Sequence, residues 1–119
     1  MAKHNKLGEE GEKLATELLL RKGYEILAKN YRFKKFEVDI IALHENTLVA
    51  VEVKTRSTPD FGDPQEFLKK AQIKNLVEAV DHYITENDLD YEVRFDIVAI
   101  IKNKLGTRTE HLEDAFLHF

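Results

Sequence analysis

Residues 36–56 read F-E-V-D-I-I-A-L-H-E-N-T-L-V-A-V-E-V-K-T-R, and the fold turns on them. Two runs rich in Val and Ile flank the polar link His44-Glu45-Asn46, the pattern of a β-hairpin with a two-to-four-residue turn. Each run carries charge where an ordinary core strand carries none. Asp39 stands between Val38 and Ile40-Ile41, and Glu52 and Lys54 are separated by Val53 alone. Side chains alternate along a strand, so Glu52 and Lys54 project to one face while Val51 and Val53 project to the other. With Asp39 on the Glu52 face, the hairpin gathers two carboxylates and an ammonium side by side. Burying such charges unpaired is costly, and a divalent metal ion would compensate them.

Upstream of the hairpin, Leu7, Gly11, Leu14, Ala15, Leu18 and Leu19 recur at helical spacing behind Asn5 as N-cap, and Gly23 is placed as the glycine that ends this helix. Glu9, Glu10 and Glu12 fall in its first turns, where acids suit the helix dipole. The chain then turns straight into a strand, so a first-turn carboxylate is also placed over one end of the sheet. Tyr24 to Tyr31 reads as that strand, with Tyr24, Ile26 and Ala28 on one face, and Arg32 to Lys35 is its basic exit. Downstream, residues 57–64 hold both prolines and have loop composition, bordering any site at Lys54. Gln65 to Glu86 reads as a second helix, with Leu68, Ala71, Leu76, Val80, Tyr83 and Ile84 as its buried stripe. Lys69, Lys70, Gln72 and Lys74 occupy its first turns against the dipole preference, which points to an anionic neighbour. Val93 to Ile101 is a further strand, Lys102 to Gly106 a turn, and Arg108 to Leu112 an edge strand. Ala115 to Phe119 is apolar enough to dock. The order α-β-β-β-α-β predicts an α/β fold with a mixed central sheet flanked by helices.

The 119 residues suit a single domain, 1–119. With 43% hydrophobic and 34% charged residues, the composition is that of neither a disordered nor a membrane chain. Cysteine is absent, which excludes disulfides and thiolate metal sites. No membrane-length apolar run or apolar leader is seen, so the expected location is cytoplasmic. The net charge of −4 is not the footprint of a basic nucleic-acid-binding domain. Charge is nonetheless unevenly spread: Lys29, Arg32, Lys34 and Lys35 cluster, as do Lys54, Arg56, Lys69, Lys70 and Lys74, while acids gather around Glu86 to Glu92. His4, His44, His82, His111 and His118 lack metal-ligand spacing and read as surface residues.

Metal-dependent cleavage of a phosphodiester needs hard oxygen ligands, a positioned water and a cation near the developing charge. Asp39 and Glu52 supply oxygens from neighbouring strands, and the Val53 carbonyl offers a third. Lys54, on the Glu52 face, can orient the water and stabilise the transition state. The competing explanation is a structural ion pair with Lys54 bridging the two acids, worth roughly 0.2–1 kcal/mol per pair. Arg94 and Asp96, two apart on the last long strand, read as a structural ion pair.

Asp39 followed by Glu52-Val53-Lys54 on the next strand, within α-β-β-β-α-β, resembles the PD-(D/E)xK nuclease superfamily and its restriction-endonuclease-like core. More closely, the chain is similar to the bacterial YraN-like family, related to archaeal Holliday junction resolvases. The stretches that carry this are Gly8 to Glu12, Asn30-Tyr31-Arg32, Glu37 to Ile41, Val51 to Arg56 and Arg94 to Val98. The resemblance implies a Mg²⁺- or Mn²⁺-dependent DNA endonuclease with a bias toward branched DNA. Its metal ligands would be Asp39 and Glu52, joined by Glu12 from the first helix, and Lys54 would be the catalytic lysine. Arg32, Lys34, Lys35 and Arg56 are the candidates for phosphate contacts, and Gln72 matches a polar position on the second helix that many such nucleases place beside the site. Resolvases cut two strands symmetrically, so a homodimer is expected by analogy. The sequence departs from the superfamily pattern at Val38, where proline is typical, and in its acidic charge. The alternative function is a non-catalytic nucleic-acid-binding or partner-docking module that keeps the nuclease fold.

Overall fold

The computed structural model describes residues 6–57 and 70–115. Asn5 as a cap, the loop from residue 58, Leu68, Lys69 and the tail from Phe116 lie outside the described residues.

Helix α1, Lys6–Arg21, buries Gly11, Ala15 and Leu19. It ends as the sequence predicts. Gly23 takes φ 89°, its N–H donates to the Leu20 carbonyl at 3.1 Å, and the Tyr24 N–H donates to the Leu19 carbonyl at 3.0 Å. These two bonds close a Schellman cap and turn Tyr24 inward beside Leu19. Strand β1 therefore starts one residue later than expected and runs Glu25–Phe33. Strands β2, Phe36–His44, and β3, Thr47–Arg56, form the expected hairpin. Its link is the shortest option: Glu45 and Asn46 have φ 50° and 67°, as a two-residue type I′ turn requires. After helix α2, Lys70–Glu86, come β4, Glu92–Asn103, and β5, Gly106–Leu112.

The five strands lie in the order β1-β2-β3-β4-β5. All neighbours are antiparallel except β3 and β4, whose helical crossover lets them run parallel. The centre of the sheet, β2 to β4, is buried on both faces. Ile40, Ala42, Val49, Val51, Val98 and Ile100 pack with Ala15 and Leu19 of α1, whereas Val38, Ile41, Leu48, Ala50, Phe95 and Ile97 pack with Leu76, Ala79 and Val80 of α2. Burial on both faces explains why β3 reads as a near-continuous apolar run. Among the described residues no helix is long and apolar enough to cross a membrane.

Two packing expectations are corrected. Ala28 does not share a face with Tyr24 and Ile26: β1 pairs Ile26 with Ala42 but Ala28 with Ile41, so Leu27 is an extra residue. This bulge reverses the alternation and sends Leu27 and Ala28 to the α2 side. Ala71 is exposed, because nine residues at about 100° each place it about 180° from Val80 on the helix.

Gly11 sets how closely α1 approaches β3. A Cβ there would overlap Thr55 Oγ1 and stand 3.1 Å from Thr55 Cβ. Alanine would add about 1 kcal/mol of helix propensity, against about 1–3 kcal/mol of overpacking. Gly11→Ala is expected to lower the melting temperature in the native background and to be neutral or stabilising in Thr55→Ala. A stabilising Gly11→Ala on its own would show that the approach is not tight.

Candidate functional site

The hairpin forks where its charges begin. The β2–β3 ladder ends at Ile40 opposite Val51, although both strands continue, so Asp39 and Glu52 occupy the opening. The alternation of β2 breaks at the same point, for Val38 packs on the α2 side and Ile40 on the α1 side. Asp39 spans the gap with its side chain, Oδ2 accepting the Val53 N–H at 2.8 Å. N–H and C=O of one strand residue point to the same edge. The Val53 carbonyl therefore faces the opening too.

Glu52 is the anomaly of the core. Only 8% of it is exposed, and its Oε1 is buried with no hydrogen-bond partner. Burial, reinforced by the Asp39 charge, pushes its carboxyl up to about 8. Burial also pushes Asp39 up, to about 6, against the lowering effect of the Val53 N–H. Two acids that resist ionisation at one opening mark a place where positive charge is missing. Lys54 does not supply it by direct contact. Among the described residues it makes no ion pair within 4.0 Å to either acid, so the bridging structural pair is not formed.

Glu12 projects from α1, and its Oε1 accepts a hydrogen bond from Asn30 Nδ2 at 3.1 Å. Asn30 stands in β1 between the pairs Lys29–Ile40 and Tyr31–Val38, hence opposite Asp39. It has φ 53°, a conformation that Asn tolerates better than most residues and that is rare inside a strand. In the sequence, an Asn interrupting a strand pattern is the one signal of this role.

Glu12, Asp39, Glu52, Val53, Lys54 and Arg56 all line one cleft of about 390 Å³. The acids are spread along it: among the described residues no three His, Asp or Glu side chains close on a common point. Mg²⁺ keeps several waters and takes one or two carboxylates, and the unpartnered Glu52 oxygen beside Asp39 and the Val53 carbonyl provides hard donors. Arg32 does not line the cleft itself but sits 3.7 Å from Glu37, which does. The other predicted contacts lie elsewhere. Lys34 and Lys35 flank a second cleft of about 410 Å³ with Phe33, Phe36 and Asn75, and Lys34 lies 4.0 Å from Glu78. Gln72 is exposed on the first described turn of α2 and does not line the carboxylate cleft.

A second polar cluster lies at the other end of α1. Asp96 is fully buried and accepts two Arg94 bonds at 2.9 Å, His111 Nε2 at 2.7 Å and the Asp114 N–H at 3.0 Å. Arg94 also donates to Tyr24 Oη at 2.6 Å. The expected Arg94–Asp96 pair is present. His111, however, is not a surface residue: its side chain is 4% exposed, because β5 pairs it opposite Val98 and next to Asp96.

The sheet order, the flanking helices and the acid-bearing fork between β2 and β3 define a restriction-endonuclease-like α/β fold. The model of the uncharacterised protein family UPF0102 matches residues 11–100, and the chain belongs to that family. It is 64% identical to a UPF0102 protein of Christiangramia forsetii over 119 residues, covering 100% of both chains. Against the UPF0102 protein of Flavobacterium psychrophilum it is 57% identical, again with 100% of both covered. A Bacteroides thetaiotaomicron relative is 44% identical over 116 residues, which span 98% of this chain and 96% of that one.

Proposed function

We propose that the cleft hydrolyses phosphodiester bonds of DNA with the help of bound Mg²⁺ or Mn²⁺, and that branched DNA is its preferred substrate. The observation that carries the metal is the buried, unpartnered Glu52 Oε1 beside Asp39; the DNA substrate and its branched preference rest on the resemblance to the resolvases. Asp39, Glu52 and the Val53 carbonyl would hold the metal, with Glu12 reaching it from α1. The ion would supply Lewis acidity toward a phosphoryl oxygen. Asp39 is held in place by the Val53 N–H and Glu12 by Asn30, which fixes where each carboxylate starts from; since the three acids do not converge in the metal-free chain, Glu12 would move toward the ion on binding. Lys54, free of an ion pair to either acid, is available to orient the attacking water and to stabilise the negative charge that develops on the phosphoryl oxygens. Arg56 at the cleft rim can hold a neighbouring phosphate without reading sequence.

The test is cleavage of four-way junction, flap, duplex and single-stranded DNA with and without Mn²⁺. Metal-dependent cleavage is expected, fastest on the junction or the flap, with Lys54→Ala slower by about 10²-fold or more. Folded protein that binds DNA but cuts none of these would assign the chain to the non-catalytic class. Equal rates on duplex and junction would remove the branched preference alone.

A further inference from the structure

The sheet has two outer edges, and they are built differently. β1 is blunted by the bulge at Leu27 and by Asn30 at positive φ, devices that discourage pairing with another strand. β5 has neither. Its register with β4 runs unbroken from Gly106 to Leu112, it contains no proline, and residues 106–110 are all exposed. The main helix contacts fall on β1 to β4. The chain also leaves β5 inward, since the Ala115 N–H donates to the Phe95 carbonyl at 2.8 Å and Ala115 is buried in the α2-side core.

The hairpin fixes which backbone groups this edge offers. A two-residue loop makes Asn103 and Gly106 the hydrogen-bonded pair that closes it. Alternation then turns the backbone groups of Arg108 and Glu110 toward β4 and those of Thr107, Thr109 and His111 outward. We propose that β5 docks against β5 of a second copy, antiparallel, about a two-fold axis at Thr109. In that register Thr109 meets Thr109 and Thr107 meets His111, so every outward backbone group between them has a partner. Arg108 meets Glu110 of the second copy twice, in the non-hydrogen-bonded pairs where side chains come closest. Among the described residues neither Arg108 nor Glu110 has an ion-pair partner within its own chain. Leu105, 98% exposed at the hairpin tip, comes to lie beside the second copy's residues 112–113. The result is one continuous ten-stranded sheet, and it stands whether or not the carboxylate cleft is a nuclease.

A strand-pair interface is small and belongs to the weak, reversible class, so mass is followed by light scattering over a concentration series. Dimer is expected to grow with concentration. Arg108→Glu and Glu110→Arg should each place like charges opposite one another and raise the dissociation constant about tenfold or more, while an equimolar mixture of the two should recover native association. The chain has no cysteine, which allows a register test. Thr109→Cys should be joined efficiently by a short bismaleimide. Thr107→Cys should not, because its copies stand about four residues, or about 14 Å, apart along the strand. A monomer at every concentration, or a dimer indifferent to both charge reversals and cross-linked equally at either position, overturns the proposal.

Discussion

Glu52→Gln is expected to stabilise the metal-free protein at neutral and alkaline pH while abolishing both DNA cleavage and the rise in melting temperature on adding Mn²⁺. Burial raises the Glu52 carboxyl in the folded chain to about 8, above the roughly 4.3 of an unfolded glutamate. The folded state therefore binds the proton more tightly than the unfolded one. Stability is highest below the unfolded value and falls as pH rises toward the folded one, by at most about 1.4 kcal/mol per pH unit for this proton. Glutamine carries no titrating proton, so the variant should lose most of that slope; Asp39, also raised, retains a smaller share at lower pH. Metal acts in the opposite sense. It binds the ionised pair, so in the native protein the Mn²⁺-induced shift should grow with pH. Chemical denaturation in chelator and in Mn²⁺, across pH 5–9, about the span of the raised carboxyls, separates the two effects. If Glu52→Gln were less stable in chelator and still responded to Mn²⁺, the glutamate would be a structural group and the metal site would lie elsewhere.

How far the sequence alone led follows from the range of each interaction. The hairpin was legible because two runs rich in Val and Ile, a turn signal and misplaced charge all fall within residues 36–56. Helix α1 and its end were legible for the same reason, since Gly23 and the apolar spacing are local. The Leu27 bulge was not, because a bulge is an offset between two strands, and the apolar run Ile26-Leu27-Ala28 fits either alternation until its partner's register is known. Asn30 was quoted but given no role, because its value lies in reaching Glu12, 18 positions away in sequence. His111 was misplaced because its partner, Asp96, becomes a neighbour only when β5 pairs with β4. Charge pattern placed Asp39, Glu52 and Lys54 together, and all three line one cleft. It did not foresee that Lys54 would stay out of ion-pair contact with the two acids, because that depends on where the side chains end up and not on their spacing.

Asp96→Ala is expected to be the most damaging substitution for stability. Burial alone would push this carboxyl up, yet the bonds from His111, Arg94 and the Asp114 N–H together hold it below the usual range, so the charged form is the one the fold uses. Arg94 reinforces the cluster by bridging to Tyr24, the residue that follows the α1 cap. Removing the carboxylate leaves the guanidinium, the imidazole and a backbone N–H without their acceptor, at a cost of about 3–5 kcal/mol. For a chain of this size that lowers the melting temperature by about 10–20 °C. Asp96→Asn keeps an acceptor oxygen and should fall between alanine and the native protein. The melting temperature is read in chelator, because Asp96 stands opposite Val51, one residue before Glu52, and its loss reaches the strand that carries the cleft. A melting temperature within a degree or so of native, about what a fraction of a kcal/mol would produce, would mean that Arg94 and His111 find solvent when freed, and that the cluster contributes alignment of β4 and β5 more than stability.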